Sequence, residues 1–101
     1  MVKNTPPSQM SAPAALKLVR EIAVVSGNIL VTAHARKRQL ERQVSTLDIQ
    51  RCLLKGVIVE GPFLNPQANW QMTMKRFAAG EELEVALALD LPARVIIITV
   101  I

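Results

Sequence analysis

The chain has 101 residues, half of them hydrophobic and one fifth charged, with a net charge of +4. That length suits one core of ordinary domain size and leaves no room for a second, and the apolar content is enough to offset the chain entropy lost on folding. No apolar run approaches the roughly 20 residues that cross a bilayer and the first residues lack the apolar stretch of a signal peptide, so a cytoplasmic protein with no membrane contact is expected.

Residues 1–10 hold two adjacent prolines and no periodic apolar pattern, which predicts a flexible leader before a single domain over 11–101. Ser11 is a helix cap with Pro13 in the first turn. Ala15, Leu16, Val19, Ile22 and Ala23 then share one face, predicting a helix over about 12–26 that Gly27-Asn28 ends. Ile29-Leu30-Val31 reads as a short apolar connector. Thr32 caps a second helix at 33–43, and Ser45 with Asp48 forms a carboxylate variant of the capping box, with Val44 and Ile49 as its staple, opening a third helix at 46–55. Cys52 lies in that helix among Ile49, Leu53 and Leu54, which marks it as a small buried hydrophobe. One cysteine and one histidine cannot make a zinc site of about four such ligands, and no metal or cofactor is expected.

After Gly56 the period changes from helical to alternating. Val57–Glu60 predicts a strand, 61–69 a long loop with two prolines, Trp70–Ala78 a strand, Ala79-Gly80 a turn, and Glu82–Asp90 a strand with Leu83, Val85, Leu87 and Leu89 on one face. Beyond the turn at Pro92, the β-branched run 95–101 predicts a strand covered on both faces or nearly so. Short connections favour antiparallel pairing. The expected fold is therefore α+β, with the N-terminal helices covering one face of a four-stranded antiparallel β-meander.

Charge is unevenly placed. Residues 34–55 carry six basic residues (Arg36, Lys37, Arg38, Arg42, Arg51, Lys55) against Glu41 and Asp48, which accounts for the whole +4, while the rest balances at six of each sign. Such a segment suits a polyanion such as RNA, and it also fits, somewhat more readily, a solvated helix face or one neutralised by the acidic strand at 81–90. Within it His34, Arg38 and Arg42 recur every four residues and form one stripe on the second helix. An imidazole moves protons near neutral pH and guanidiniums hold phosphate oxygens, the parts a metal-independent ribonuclease uses; the same spacing also suits packing, capping or pairing with Glu41 and Asp48. Trp70, Met72 and Met74 alternate on one strand and read as core rather than as a base-stacking platform. Of Lys75 and Arg76, adjacent in a strand, only one can extend the cationic surface directly.

The stretch His34-Ala35-Arg36-Lys37-Arg38, then Arg42, Val44-Ser45, Asp48-Ile49, Leu53 and Gly56-Val57-Ile58-Val59-Glu60, followed by the Glu84–Asp90 and Arg94–Val100 segments, resembles the bacterial domain-of-unknown-function family 4258 over about residues 30–101. That family is similar in layout to toxins of the RelE, BrnT and MqsR types, small ribonucleases held in check by an antitoxin. The resemblance implies a RelE-toxin-like fold, RNA as substrate and an antitoxin protein as partner. The chain departs from the family pattern at Gln39, Gln43, Glu84 and Ile101, where the family commonly has Met, Gly, His and an aromatic residue. The expected function is a toxin-like ribonuclease or RNA-binding domain, with His34, Arg38 and Arg42 as the candidate catalytic site and Arg36, Lys37 and Lys75 as phosphate contacts. The alternative is a non-enzymatic regulatory or protein-interaction module.

Overall fold

The change of hydrophobic period at Gly56 divides the chain as its structure does. A computed structural model describes residues 9–101, and the order of elements is α1 (Ala12–Ala23), a 3-10 turn (Ser26–Asn28), β1 (Ile29–Val31), α2 (Ala33–Arg42), α3 (Thr46–Lys55), β2 (Val57–Leu64), β3 (Trp70–Ala78), β4 (Glu81–Asp90) and β5 (Arg94–Val100). The leader expected at 1–10 lies largely outside the described residues; Met10 is half-buried against the core.

All three helices begin at the expected caps. Ala14 N–H donates to Ser11 Oγ (3.2 Å) and Ala35 N–H to Thr32 Oγ1 (3.1 Å). The capping box closes reciprocally, Asp48 N–H donating to Ser45 Oγ (3.0 Å) and Ser45 N–H to Asp48 Oδ2 (2.9 Å). The first helix stops at Ala23 rather than near 26, and Gly27 sits in the 3-10 turn that follows. There Asn28 Nδ2 donates back to the Ile22 carbonyl (3.1 Å), satisfying one of the helix's open C-terminal acceptors.

The sheet has five strands in the order β1-β5-β4-β3-β2, not four. The pairs β2–β3, β3–β4 and β4–β5 are antiparallel, whereas β1 pairs with β5 in parallel, Ile29 opposite Val95 and Val31 opposite Ile97, so the sheet is mixed. The expected connector at 29–31 is thus an edge strand. Its three residues are too few to show alternation, and their partner is some 66 positions away. The expected loop at 61–69 is also shorter, because β2 runs through Gly61-Pro62 to Leu64. Proline is tolerated there because β2 is the other edge, and register shifts at 58–60 and 60–63 absorb it. Gly61 has φ +87, and a Cβ on it would lie 2.7 Å from the Gln71 carbonyl oxygen, so the bulge requires glycine.

Alternation decides which side of the sheet the helices cover. Trp70, Met72 and Met74 of β3, Val85, Leu87 and Leu89 of β4, and Val95, Ile97 and Val100 of β5 enter one core with Ala15, Val19, Ile49 and Leu53 from the helices. Each large side chain so buried contributes about 1.5–3 kcal/mol relative to exposure. On the other face Thr73, Ala86 and Ala88 are small and buried among their neighbours, while Ile96 and Ile98 are only half-buried. The last strand is therefore packed by helices on one face alone. The hairpin joining β3 to β4 turns on Ala79 (φ 55) and Gly80 (φ 78), the two positive φ values that match strand twist in a two-residue loop.

Candidate functional site

The site is built where β1 ends and α2 begins. After Val31 the chain leaves the sheet, and a strand edge left open there would expose unpaired carbonyls of β5. Side chains at the start of α2 meet that need. Thr32 N–H donates to the Ile97 carbonyl (3.2 Å), and its hydroxyl lies 2.9 Å from the same oxygen. His34 Nε2 is 3.1 Å from Thr99 Oγ1, and Arg38 Nε–H donates to the Val100 carbonyl (3.0 Å). The stripe read from the sequence is thus aligned with successive residues of β5. His34 remains exposed and reachable from solvent. Arg38 also donates through Nη1 to Glu41 Oε1 (3.1 Å). These contacts use two of its five N–H donors and leave three.

Arg42 continues the stripe at the C-terminus of α2. It is exposed, has no ion pair among the described residues, and borders a cleft of about 400 Å³ between the α2–α3 turn and the β3–β4 hairpin. Gln43 closes α2 in the left-handed region (φ 56, ψ 45) and lines the same cleft. A glycine would take that conformation without a Cβ penalty.

The expected phosphate contacts separate in space. At about 100° per residue, Lys37 flanks the His34–Arg38–Arg42 stripe and Arg36 lies almost opposite His34 on the helix. Both are exposed, as is Leu40 beside them, which is 78% exposed. Lys75 belongs to the sheet face away from the helices, where its ammonium pairs with Glu82 (3.2 Å) and Glu84 (3.5 Å). The hydrogen bond and charge of Glu82, then those of Glu84, raise its pKa above the ordinary lysine value. Glu84 therefore holds a cation in this chain.

Of the adjacent pair Lys75 and Arg76, the sequence points to Lys75 as the phosphate contact, but it is Arg76 that faces the cleft. It has the parity of Met72 and Met74, so it emerges on the helix side of β3, is half-buried, and lines the cleft with Arg42. The alternation already carried that signal. Arg76 has no ion pair among the described residues. Its charge is felt by two neighbours. Asp48 is held below the usual carboxylate range, first by the backbone and hydroxyl hydrogen bonds of Ser45 and then by Arg51 and Arg76. Burial pushes the Cys52 thiol up to about 11, with Arg76 acting weakly in the opposite sense, so Cys52 is a protonated core residue.

Among the described residues no helix is long and apolar enough to cross a membrane. No curated protein and no solved structure matches the chain. A family model described as "Domain of unknown function (DUF4258)" matches residues 31–101, which begin at the last residue of β1 and take in α2, α3 and strands β2–β5, so the chain belongs to the DUF4258 family.

Proposed function

We propose that this chain is a cytoplasmic, RelE-toxin-like RNA-binding domain that cleaves RNA without a metal and is held in check by an antitoxin protein. One observation carries the reading: an exposed imidazole and a guanidinium with three uncommitted donors stand one helical turn apart at the end of β5, with Arg42 a further turn along. In this mechanism the RNA 2′-hydroxyl attacks its own phosphate and His34 accepts the hydroxyl proton. Arg38 and Arg42 hold the phosphoryl oxygens as charge develops. The bond to the 5′ oxygen breaks, that oxygen takes a proton from water, the proton held by His34 neutralises the hydroxide so formed, and the products are a 2′,3′-cyclic phosphate and a 5′-hydroxyl. Lys37 flanks the bound strand, and Lys75 meets RNA that extends onto the sheet and displaces its carboxylate partners. Arg36 is reached only by RNA that wraps α2.

A protein-interaction reading is favoured by a separate observation. Leu40 is exposed on the outer face of α2 with Arg36 and Lys37 one turn before it, a basic, apolar-centred face suited to an acidic partner segment such as an antitoxin's.

The test is incubation of the full chain with end-labelled RNA in chelator, with and without ribosomes. Cleavage leaving cyclic phosphate ends is expected, and no cleavage under either condition overturns the enzymatic reading. Binding is expected to weaken steeply with salt. Reversing Arg36 and Lys37 to glutamate lowers the log–log salt slope for single-stranded RNA by about 0.7 if only Lys37 meets a phosphate and by about 1.4 if both do. An unchanged slope removes both residues from the interface.

A further inference from the structure

Two guanidiniums with no ion pair among the described residues border one cleft. Arg42 reaches it from the end of α2 and Arg76 from the helix side of β3, residues 34 positions apart that only the fold brings together. The cleft's acidic residues do not cancel them equally. Glu82 is turned to Lys75 (3.2 Å), and Asp48 accepts the Ser45 N–H (2.9 Å) within the capping box. Glu81 is the one cleft carboxylate without a hydrogen bond or ion pair among the described residues. Leu83 and Ile101 contribute an apolar wall. The volume, about 400 Å³, falls at the lower end of the roughly 300–1,000 Å³ usual for small-molecule sites.

We infer that this cleft is a single-nucleotide subsite, in which Arg42 and Arg76 clamp a phosphate, Glu81 accepts from a ribose hydroxyl, and the base lies against the Leu83–Ile101 wall. Guanidiniums converging from two elements suit the several oxygens of a phosphate, which one cation would hold in only one direction. A lone carboxylate at the rim disfavours bare phosphate and favours a ligand that carries hydroxyl donors beside its anion. The inference rests on the RNA reading for its biological ligand, since the cleft adjoins the end of the His34–Arg38–Arg42 stripe. It adds to that reading Arg76 and Glu81, neither of which belongs to the stripe.

The experiment is titration of the full chain with adenosine 5′-monophosphate, adenosine and inorganic phosphate, followed by amide chemical shifts and calorimetry. Saturable binding of the nucleotide is expected, with shifts at Gln43, Arg76 and Leu83, and both adenosine and phosphate are expected to bind at least about tenfold more weakly. Arg76→Gln and, separately, the exposed Arg42→Ala each weaken the nucleotide about tenfold, while Glu81→Gln weakens the nucleotide and strengthens inorganic phosphate. Nucleotide binding unchanged in both arginine variants, each with a native melting profile, overturns the subsite. Equal affinity for phosphate and nucleotide overturns the roles of Glu81 and the apolar wall. Long RNA measured in parallel separates the two readings. RNA binding that is unaffected by Arg76→Gln, with no saturable nucleotide binding, defeats the subsite and leaves the RNA reading standing. Nucleotide binding lost in Arg76→Gln, with no RNA binding by the unmodified chain, upholds the subsite and defeats the RNA reading.

Discussion

Replacing His34 by alanine separates its catalytic role from a structural one, because the geometry sets a low ceiling on what the side chain contributes to stability. Its one side-chain hydrogen bond among the described residues, Nε2 to Thr99 Oγ1 at 3.1 Å, is exposed. Exchange of such a bond for water costs about 0.5–1 kcal/mol. Thr99 is not stranded, since its hydroxyl lies 3.4 Å from the Val100 carbonyl oxygen and water reaches it. Alanine in a helix recovers up to about 0.6 kcal/mol of that through its higher propensity. The net loss is therefore at most about 1 kcal/mol, or a melting shift of no more than roughly 4–8 °C for a domain of this size. Loss of a general acid–base group instead lowers turnover by about 10²- to 10⁴-fold. Calorimetric melting and single-turnover RNA cleavage are measured on the same His34→Ala protein. A variant that melts within the stated range and cleaves at full rate refutes the catalytic assignment. One that melts far lower and loses activity only in proportion to unfolding shows that His34 is a strut between α2 and β5. Arg38→Ala provides the contrast: it leaves the Val100 carbonyl without its 3.0 Å donor and is expected to cost about 1–3 kcal/mol as well as activity.

Three further outcomes follow from the backbone and the caps. Gly56→Ala places a Cβ 2.5 Å from the Cys52 carbonyl oxygen and 2.6 Å from that of Lys75, so α3 and β3 must separate; a loss of about 3 kcal/mol or more is expected in urea denaturation, and a loss under 1 kcal/mol would contradict the close approach. Gln43→Gly relieves a side chain held at φ 56 and is expected to stabilise by about 0.5–1 kcal/mol, an effect that a lowered melting temperature would disprove. Asp48→Asn removes a depressed carboxylate, whose contribution is complete above the unfolded value near 3.9 and disappears as pH falls through the lower folded value. Asp48→Asn is therefore expected to cost about 0.3–1 kcal/mol at pH 7 and to melt with the unmodified protein near pH 2; an equal gap at both pH values would show that the carboxylate charge is not what matters.

Much of the architecture was legible from neighbours in the chain. Ser11, Thr32 and the Ser45–Asp48 pair mark helix starts because a cap is a contact over three residues. The β4 alternation and the Trp70–Met72–Met74 set mark the core side of the sheet because pleating makes parity a local property. The His34–Arg38–Arg42 stripe is visible for the same reason, since helical spacing needs no distant partner.

What the sequence could not disclose depended on distant partners. Ile29–Val31 becomes a strand only because β5 presents an open edge, and β2 passes through Pro62 only because its own outer edge is unpaired. Within the stripe, spacing cannot tell which cation is already occupied. Val100 and Thr99 engage Arg38 and His34 from more than 60 positions away, Glu82 and Glu84 claim Lys75 from the next strand, and Arg76 joins Arg42 across a cleft. Capping and periodicity are decided by residues within a turn or a pleat of one another. The free donors of a site are decided by which elements the core brings together, a packing outcome that no local window contains.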